Sequence, residues 1–186
     1  MRLQALLLVL FAPVAAGQTS QWTAVPAQSQ LTFVATYEQQ PATGLFHDFQ
    51  VRLRFDPAQP ENGALDVTVD VTSADMHSSD INDAIRAPEW FGAAEHPTAR
   101  FSSTAITKTG PQRFVAHGNL KLKGTVSNID VPFRWEADGA QATMTGSLTL
   151  PRADFAIGTG QWSTGHPIGL DIKVSFRVRL HRVGAR

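Results

Sequence analysis

From Trp22 onward, apolar and polar residues alternate with a period of two, the pattern of strands that lay one face on a core and turn the other to water. In LTFVATY, Leu31, Phe33, Ala35 and Tyr37 fall on one side; in VRLRF, Val51, Leu53 and Phe55 oppose Arg52 and Arg54. LDVTVDV sets Leu65, Val67, Val69 and Val71 against Asp66, Thr68 and Asp70, and RFVAHGNLKLKG sets Phe114, Ala116, Leu120 and Leu122 against His117, Asn119, Lys121 and Lys123. The pattern continues through Val131, Phe133 and Trp135, then Met144, Leu148 and Leu150, then Ile172, Val174, Phe176, Val178 and Leu180. With WTAV and RFSSTAI, this predicts about eight or nine antiparallel strands. Short turn-forming runs, DPAQPENG, TKTGPQ, KGTVSN and EADGAQ, separate them, so consecutive strands are expected to pair as hairpins. Such strands close as a sandwich or as an up-and-down barrel, and periodicity alone does not choose between them.

One segment breaks the rhythm: SADMHSSDINDAIRAPEWFGAAEHP, residues 73–97. Asp80, with Asp83 three residues on, predicts the cap of a short helix, and Pro88 limits that helix to about two turns. Trp90 and Phe91 then follow as a lid or plug for the open end of a barrel. On this reading EWFGAAEHPTARFSS, residues 89–103, is the rim of a pocket, with its charged residues toward solvent.

The first residues stand apart from this pattern. In MRLQALLLVLFAPVAAG, Arg2 is followed by an apolar run of about 12 residues and then by small ones, which predicts a secretory signal peptide over residues 1–17, cleaved after Ala16 or Gly17. A membrane-spanning helix needs about 20 apolar residues. The expected location is the periplasm, and residues 18–186 form one domain. The chain has no cysteine, which removes disulfides, thiol catalysis and thiolate metal sites together. Its 16 basic and 16 acidic residues balance, so nothing in the net charge favours nucleic acid or an anionic surface.

Catalytic and metal chemistry find little support. The six histidines, His47, His77, His96, His117, His166 and His181, show none of the tight spacings of metal sites. No G-x-S-x-G elbow is present, and a triad assembled from distant residues stays open. GTGQWSTG lacks the strand, loop and helix context of a phosphate loop and is expected to be a flexible connection. Arg152 and Asp154 of PRADF, two apart, are expected on one face as a salt bridge tying a loop to the barrel, with a ligand contact as the other reading. No catalytic residue, metal or cofactor is assigned.

The pieces WTAVPAQSQLTFVAT, GLFHDFQVRLRFDP, FGAAEHPTARFSST, HGNLKLKGTVSNIDVPF and LPRADFAIG, in this order around the helical insert, resemble the YceI-like family of periplasmic polyisoprenoid-binding proteins over nearly the whole chain after the leader. The resemblance implies an all-β, extended antiparallel up-and-down barrel of lipocalin type, about eight strands with a short helix at its mouth, around an apolar tunnel. It also implies a polyprenyl ligand, an isoprenoid quinone or a polyprenyl phosphate. Two places depart from the family: Tyr37 stands where a histidine is usual, and GHPIGLDIKV replaces a GD-x-V type turn. Large residues on the apolar faces are the candidate lining: Phe33, Tyr37, Phe46, Leu53, Trp90 and Phe91 from the first half of the chain, and Phe101, Leu120, Leu122, Phe133, Met144 and Phe155 from the second. Each is also what a filled barrel would present. The expected function is non-catalytic binding and carriage of an isoprenoid lipid. The acids at the start of the insert tilt its head group toward a neutral quinone. The alternatives are an enzyme, including a quinone-linked partner of a membrane b-type cytochrome, or a protein-interaction module with a filled barrel. Oligomeric state, a homodimer included, stays open.

Overall fold

The computed structural model describes residues 19–184, so the signal peptide expected over residues 1–17 lies outside the described residues. Three of the strands are each broken once. β1 (Gln21–Ala24) and β2 (Gln30–Tyr37) are halves of one strand, split by a tight turn at Pro26–Gln28; β3 (Gln40–Phe46) and β4 (Phe49–Arg54) are split at His47 and Asp48. β5 (Ala64–Asp70) and the two-residue β6 (Ala74–Asp75) are split by a turn at Val71–Ser73. The halves stay in line, because β2 lies beside β3 and β1 beside β4, while β4 lies beside β5 and β3 beside β6. Unbroken strands follow: β7 (Thr98–Gly110), β8 (Arg113–Leu122), β9 (Thr125–Asp138), β10 (Gln141–Pro151) and β11 (Asp171–Arg182). Each pairs antiparallel with its predecessor in the ring, and β11 closes the ring on both β1 and β2. With each split pair counted once, this is a closed, eight-stranded, up-and-down barrel.

The breaks leave backbone groups without ladder partners, and short hydroxyl side chains take them up. Ser29 Oγ accepts from the Arg179 N–H at 3.1 Å and donates to the Val25 carbonyl at 2.8 Å. Ser73 Oγ accepts from the Asp48 N–H at 3.0 Å and donates to the Asp70 carbonyl at 2.6 Å. Two hairpins turn on just two residues with positive φ, Glu38 and Gln39 (46° and 65°) and Lys123 and Gly124 (47° and 77°), the handedness that fits twisted strands.

The helix α1 (Ser79–Arg86) crosses one end of the barrel. Ser78 is the extended residue that precedes it and Asp80 lies in its first turn, so the cap expected at Asp80 sits two residues earlier. Ala87 is extended, as the residue before Pro88 must be, and that ends the helix after its second turn.

The opposite end is filled. Phe55 stands edge-on to Phe114 at 4.9 Å and to Trp135 at 5.1 Å, and Trp135 is edge-on to Trp22 at 5.0 Å. The Trp22 indole N–H donates to the Phe55 carbonyl at 3.1 Å. Leu53 and Phe133, expected on a ligand cavity, belong to this cluster, at 2% and 3% exposure. The alternation that selected them gives the face of a strand but not the height along the barrel.

Candidate functional site

Above the filled end the barrel is hollow. A cavity of about 620 Å³ runs from the middle of the barrel to its mouth, within the range of about 300–1,000 Å³ usual for small-molecule sites. The inward positions of the strands supply its walls, among them Val67, Val69, Leu148, Leu150 and Val174, so the walls are almost wholly apolar. These side chains are shorter than the rings of the filled end and do not meet across the barrel.

Ten of the twelve residues expected to line a pocket reach this cavity. Phe101, Leu120 and Met144 form its floor above the filled cluster, and Leu122 and Phe155 stand higher on the wall. Phe33, Phe46, Phe91, Trp90 and Tyr37 surround the mouth. Phe33 lies 5.0 Å from Phe46, and Phe91 lies edge-on to both, at 6.5 and 6.0 Å. Gly44 makes room for this group: a Cβ there would lie 2.4 Å from the Phe33 ring and 2.5 Å from Met76 Sδ. Alternation did not single out Met76, Ile81, Ala84, Ile85, Trp162 or Ile168, which complete the mouth. They stand on the helix, on the link that leads into it from β6 and on the 156–170 connection, where a period of two carries no information.

That connection is tied down by hydrogen bonds to one buried side chain. Arg152 is 2% exposed and sits in a short 3-10 turn, Arg152–Phe155, not in an extended segment, and no ion pair joins it to Asp154. All five of its N–H groups go to backbone carbonyls, of Ile157, Gly158, Trp162, Ile168 and Gly169, at 2.5–3.0 Å. Burial pushes its pKa down, yet a fully hydrogen-bonded guanidinium keeps its charge in such a place. The guanidinium also lies 5.5 Å from the centre of the Trp90 ring, which itself meets Trp162 at 5.6 Å. Gly158 at φ +72° is required here, because a Cβ would fall 2.0 Å from an Arg152 nitrogen. Arg152 therefore organises the loop that frames the mouth and has no donor left for a ligand.

The lid is held at two points. At one, the Glu89 carbonyl accepts from the N–H groups of Gly158 and Thr159, and Lys123 Nζ donates to the Ala156 carbonyl at 2.6 Å. Burial pushes the Lys123 pKa down, against the pull of Glu89. At the other, Asp75 accepts from the Asn82 amide at 3.0 Å, the His77 N–H at 2.8 Å and the His47 ring at 3.2 Å. Asn82 and these hydrogen bonds hold the Asp75 carboxyl at a pKa of about 2, below its ordinary 3.8.

Other chemistry lies outside the cavity. Thr107, His117 and Asp130, on three neighbouring strands, form a hydrogen-bonded chain with contacts of 2.9 and 2.6 Å on the outer wall. It lies beside a bulge at Thr104 in β7, whose hydroxyl donates to the His117 carbonyl at 3.2 Å, and none of the three residues lines the cavity. Among the described residues no group of three or more His, Cys, Asp or Glu side chains is placed to hold a metal ion. No helix among them is long and apolar enough to cross a membrane.

A closed antiparallel barrel, filled below and hollow under a helical lid, is a lipocalin-like architecture. Within that class the chain belongs to the YceI-like family, whose domain model matches residues 22–180. It is similar to BcnA of Burkholderia cenocepacia, with 30% identity and a TM-score of 0.82 over 84% of this chain and 98% of that one. A polyisoprenoid binding domain from Saccharophagus degradans, implicated in plant cell wall breakdown, shares the fold at 15% identity, with a TM-score of 0.70 over 87% of this chain and 98% of that one. A UPF0312 protein of Azotobacter vinelandii is 32% identical over 120 residues, 61% of this chain and 62% of that relative.

Proposed function

We propose that the protein binds and carries an isoprenoid lipid in the periplasm, with the polyprenyl chain in the barrel cavity and the head group at the mouth. The observation that carries this is the cavity itself: a long, apolar-walled space of about 620 Å³ that ends at an aromatic rim. Each methylene moved from water into such a space contributes about 0.8 kcal/mol, so a chain of a few isoprene units binds without precise polar contacts. The family and the polyisoprenoid-binding description of the S. degradans domain support the same ligand class.

A neutral quinone fits the mouth better than a polyprenyl phosphate. Asp80 stands on the rim, Arg152 has spent every donor on carbonyls, and Arg100, which also reaches the rim, falls on the outward parity of β7. Native mass spectrometry of protein purified from its own periplasm, followed by organic extraction, tests the reading. The expected result is one isoprenoid per chain and an intact mass beginning after Ala16 or Gly17. A ligand-free mass that neither added quinone nor polyprenyl phosphate shifts overturns it.

A further inference from the structure

We propose that the mouth of the barrel docks on the surface of a zwitterionic lipid bilayer, from which the cavity is filled. This rests on the isoprenoid reading above: such a lipid leaves a membrane for water only at about 0.8 kcal/mol for each methylene, so the opening has to meet the phase that holds it.

The exposed apolar side chains are placed for that contact. Among the described residues, Tyr37, Ile81, Val126, Leu170 and Val183 are large, apolar and exposed. Four of the five stand at the mouth. Tyr37 ends β2, Ile81 lies on α1, Val126 follows the β8–β9 turn and Leu170 precedes β11; Val183 is at the filled end. The β2–β3 and β8–β9 hairpins are diametrically opposed in the eight-membered ring, so the anchors flank the opening on both sides. Tyr37 and Ile81 are 49% and 46% exposed and also belong to the cavity wall, which makes the interior and the rim one continuous apolar surface. Trp90 and Trp162, half-buried beside them, are the residue type that settles at the interface of a bilayer with water.

Charge selects the kind of bilayer. Glu38 adjoins Tyr37, Asp80 and Asp83 flank Ile81, with Asp83 paired to Arg86 at 3.2 Å, and Asp171 adjoins Leu170; the nearest lysines are Lys121 and Lys123 beside Val126 and Lys173 beyond Asp171. Three of the four anchors thus carry an acid beside them, which opposes the negative potential of an anionic surface.

The test is flotation of the purified protein with vesicles of phosphatidylcholine alone and with phosphatidylglycerol added, at low salt. The double variant Val126→Asp/Leu170→Asp changes two anchors outside the cavity wall. The wild type is expected to float with phosphatidylcholine vesicles and less with the anionic ones, and the double variant to lose about tenfold in partition. Val126→Asp alone, at the most exposed anchor (59%), keeps the test open if Leu170→Asp impairs folding. A wild type that stays with the soluble fraction overturns the proposal, as does an unchanged folded variant. Stronger, salt-sensitive binding to anionic vesicles overturns it too, and moves the contact to Lys173, Arg177 and Arg179 on the outer face of β11. Native mass spectra of the same samples separate the two readings: bound isoprenoid without flotation defeats the docking surface alone, whereas flotation without any isoprenoid supports the surface and defeats the ligand.

Discussion

The two ends of the barrel are built on the same strands and the same alternation, yet one is solid and the other hollow. At the solid end the inward positions of neighbouring strands carry Trp22, Phe55, Phe114, Phe133 and Trp135, and these rings meet across the axis at contact distance. At the hollow end the inward positions of β5, β10 and β11 carry Val69, Leu150, Ile172 and Val174, and the rings of Phe33 and Phe46 gather on the adjacent strands β2 and β3 instead of meeting across the axis. A closed eight-stranded barrel has just enough room for side chains to fill it or for one slender ligand. Side-chain size at equivalent positions decides which, and here the decision changes partway up the barrel.

Truncating one ring at each end gives the largest contrast. Phe55→Ala is expected to cost about 3–5 kcal/mol, because it opens a new void in a filled cluster. Phe33→Ala only widens a space that exists, so its loss is expected at about half that, with weaker retention of the ligand. Chemical denaturation of both variants, paired with their ligand content, checks this; equal losses would mean that both ends are packed alike.

Adding volume is expected to run the other way, with a smaller effect. Ala116 is fully buried at the solid end, and Ala116→Leu should cost about 1–3 kcal/mol through forced rearrangement. Leu150→Phe, facing the cavity, should change stability by less than about 1 kcal/mol while lowering the amount of lipid held. Thermal melts and extracted lipid per mole of protein would show whether free volume, rather than overall stability, limits binding.

The smallest effect expected is confined to the lid. Asp75 has a folded pKa of about 2, below the ordinary 3.8, so its stabilising contribution is complete above about pH 3.8 and is lost as the pH falls through about 2. Amide exchange at α1 should accelerate over that window while the solid end stays protected. In Asp75→Asn the acceleration at α1 should no longer depend on pH across the same interval.

The barrel walls were legible because strands write themselves as a period of two, and the wall residues Phe33, Phe101, Leu120 and Met144 follow from parity alone. Leu53 and Phe133 obey the same parity and belong to the solid end, since parity is blind to position along the axis. The mouth was legible only in outline. Trp90 and Phe91 stood out by size, whereas Met76, Ile85 and Trp162 lie in segments without a strand's rhythm. Arg152 reads in the sequence, together with Asp154 two residues on, as a salt bridge tying a loop to the barrel. Five carbonyls scattered over residues 157–169 satisfy it instead, and no local pattern announces a set of that kind.

Closure through β11 has a consequence in time. Ser29 and Arg179, joined across the seam, are 150 residues apart in the chain, and β1 and β2 meet no strand but β3, β4 and β11. Contacts of such long range come late and slowly, because a long loop must lose its freedom before they form. A sheet not closed at this seam would have two free edges and an apolar inner face open to water. The enclosed space therefore depends on the seam: it exists only when every strand of its wall is paired.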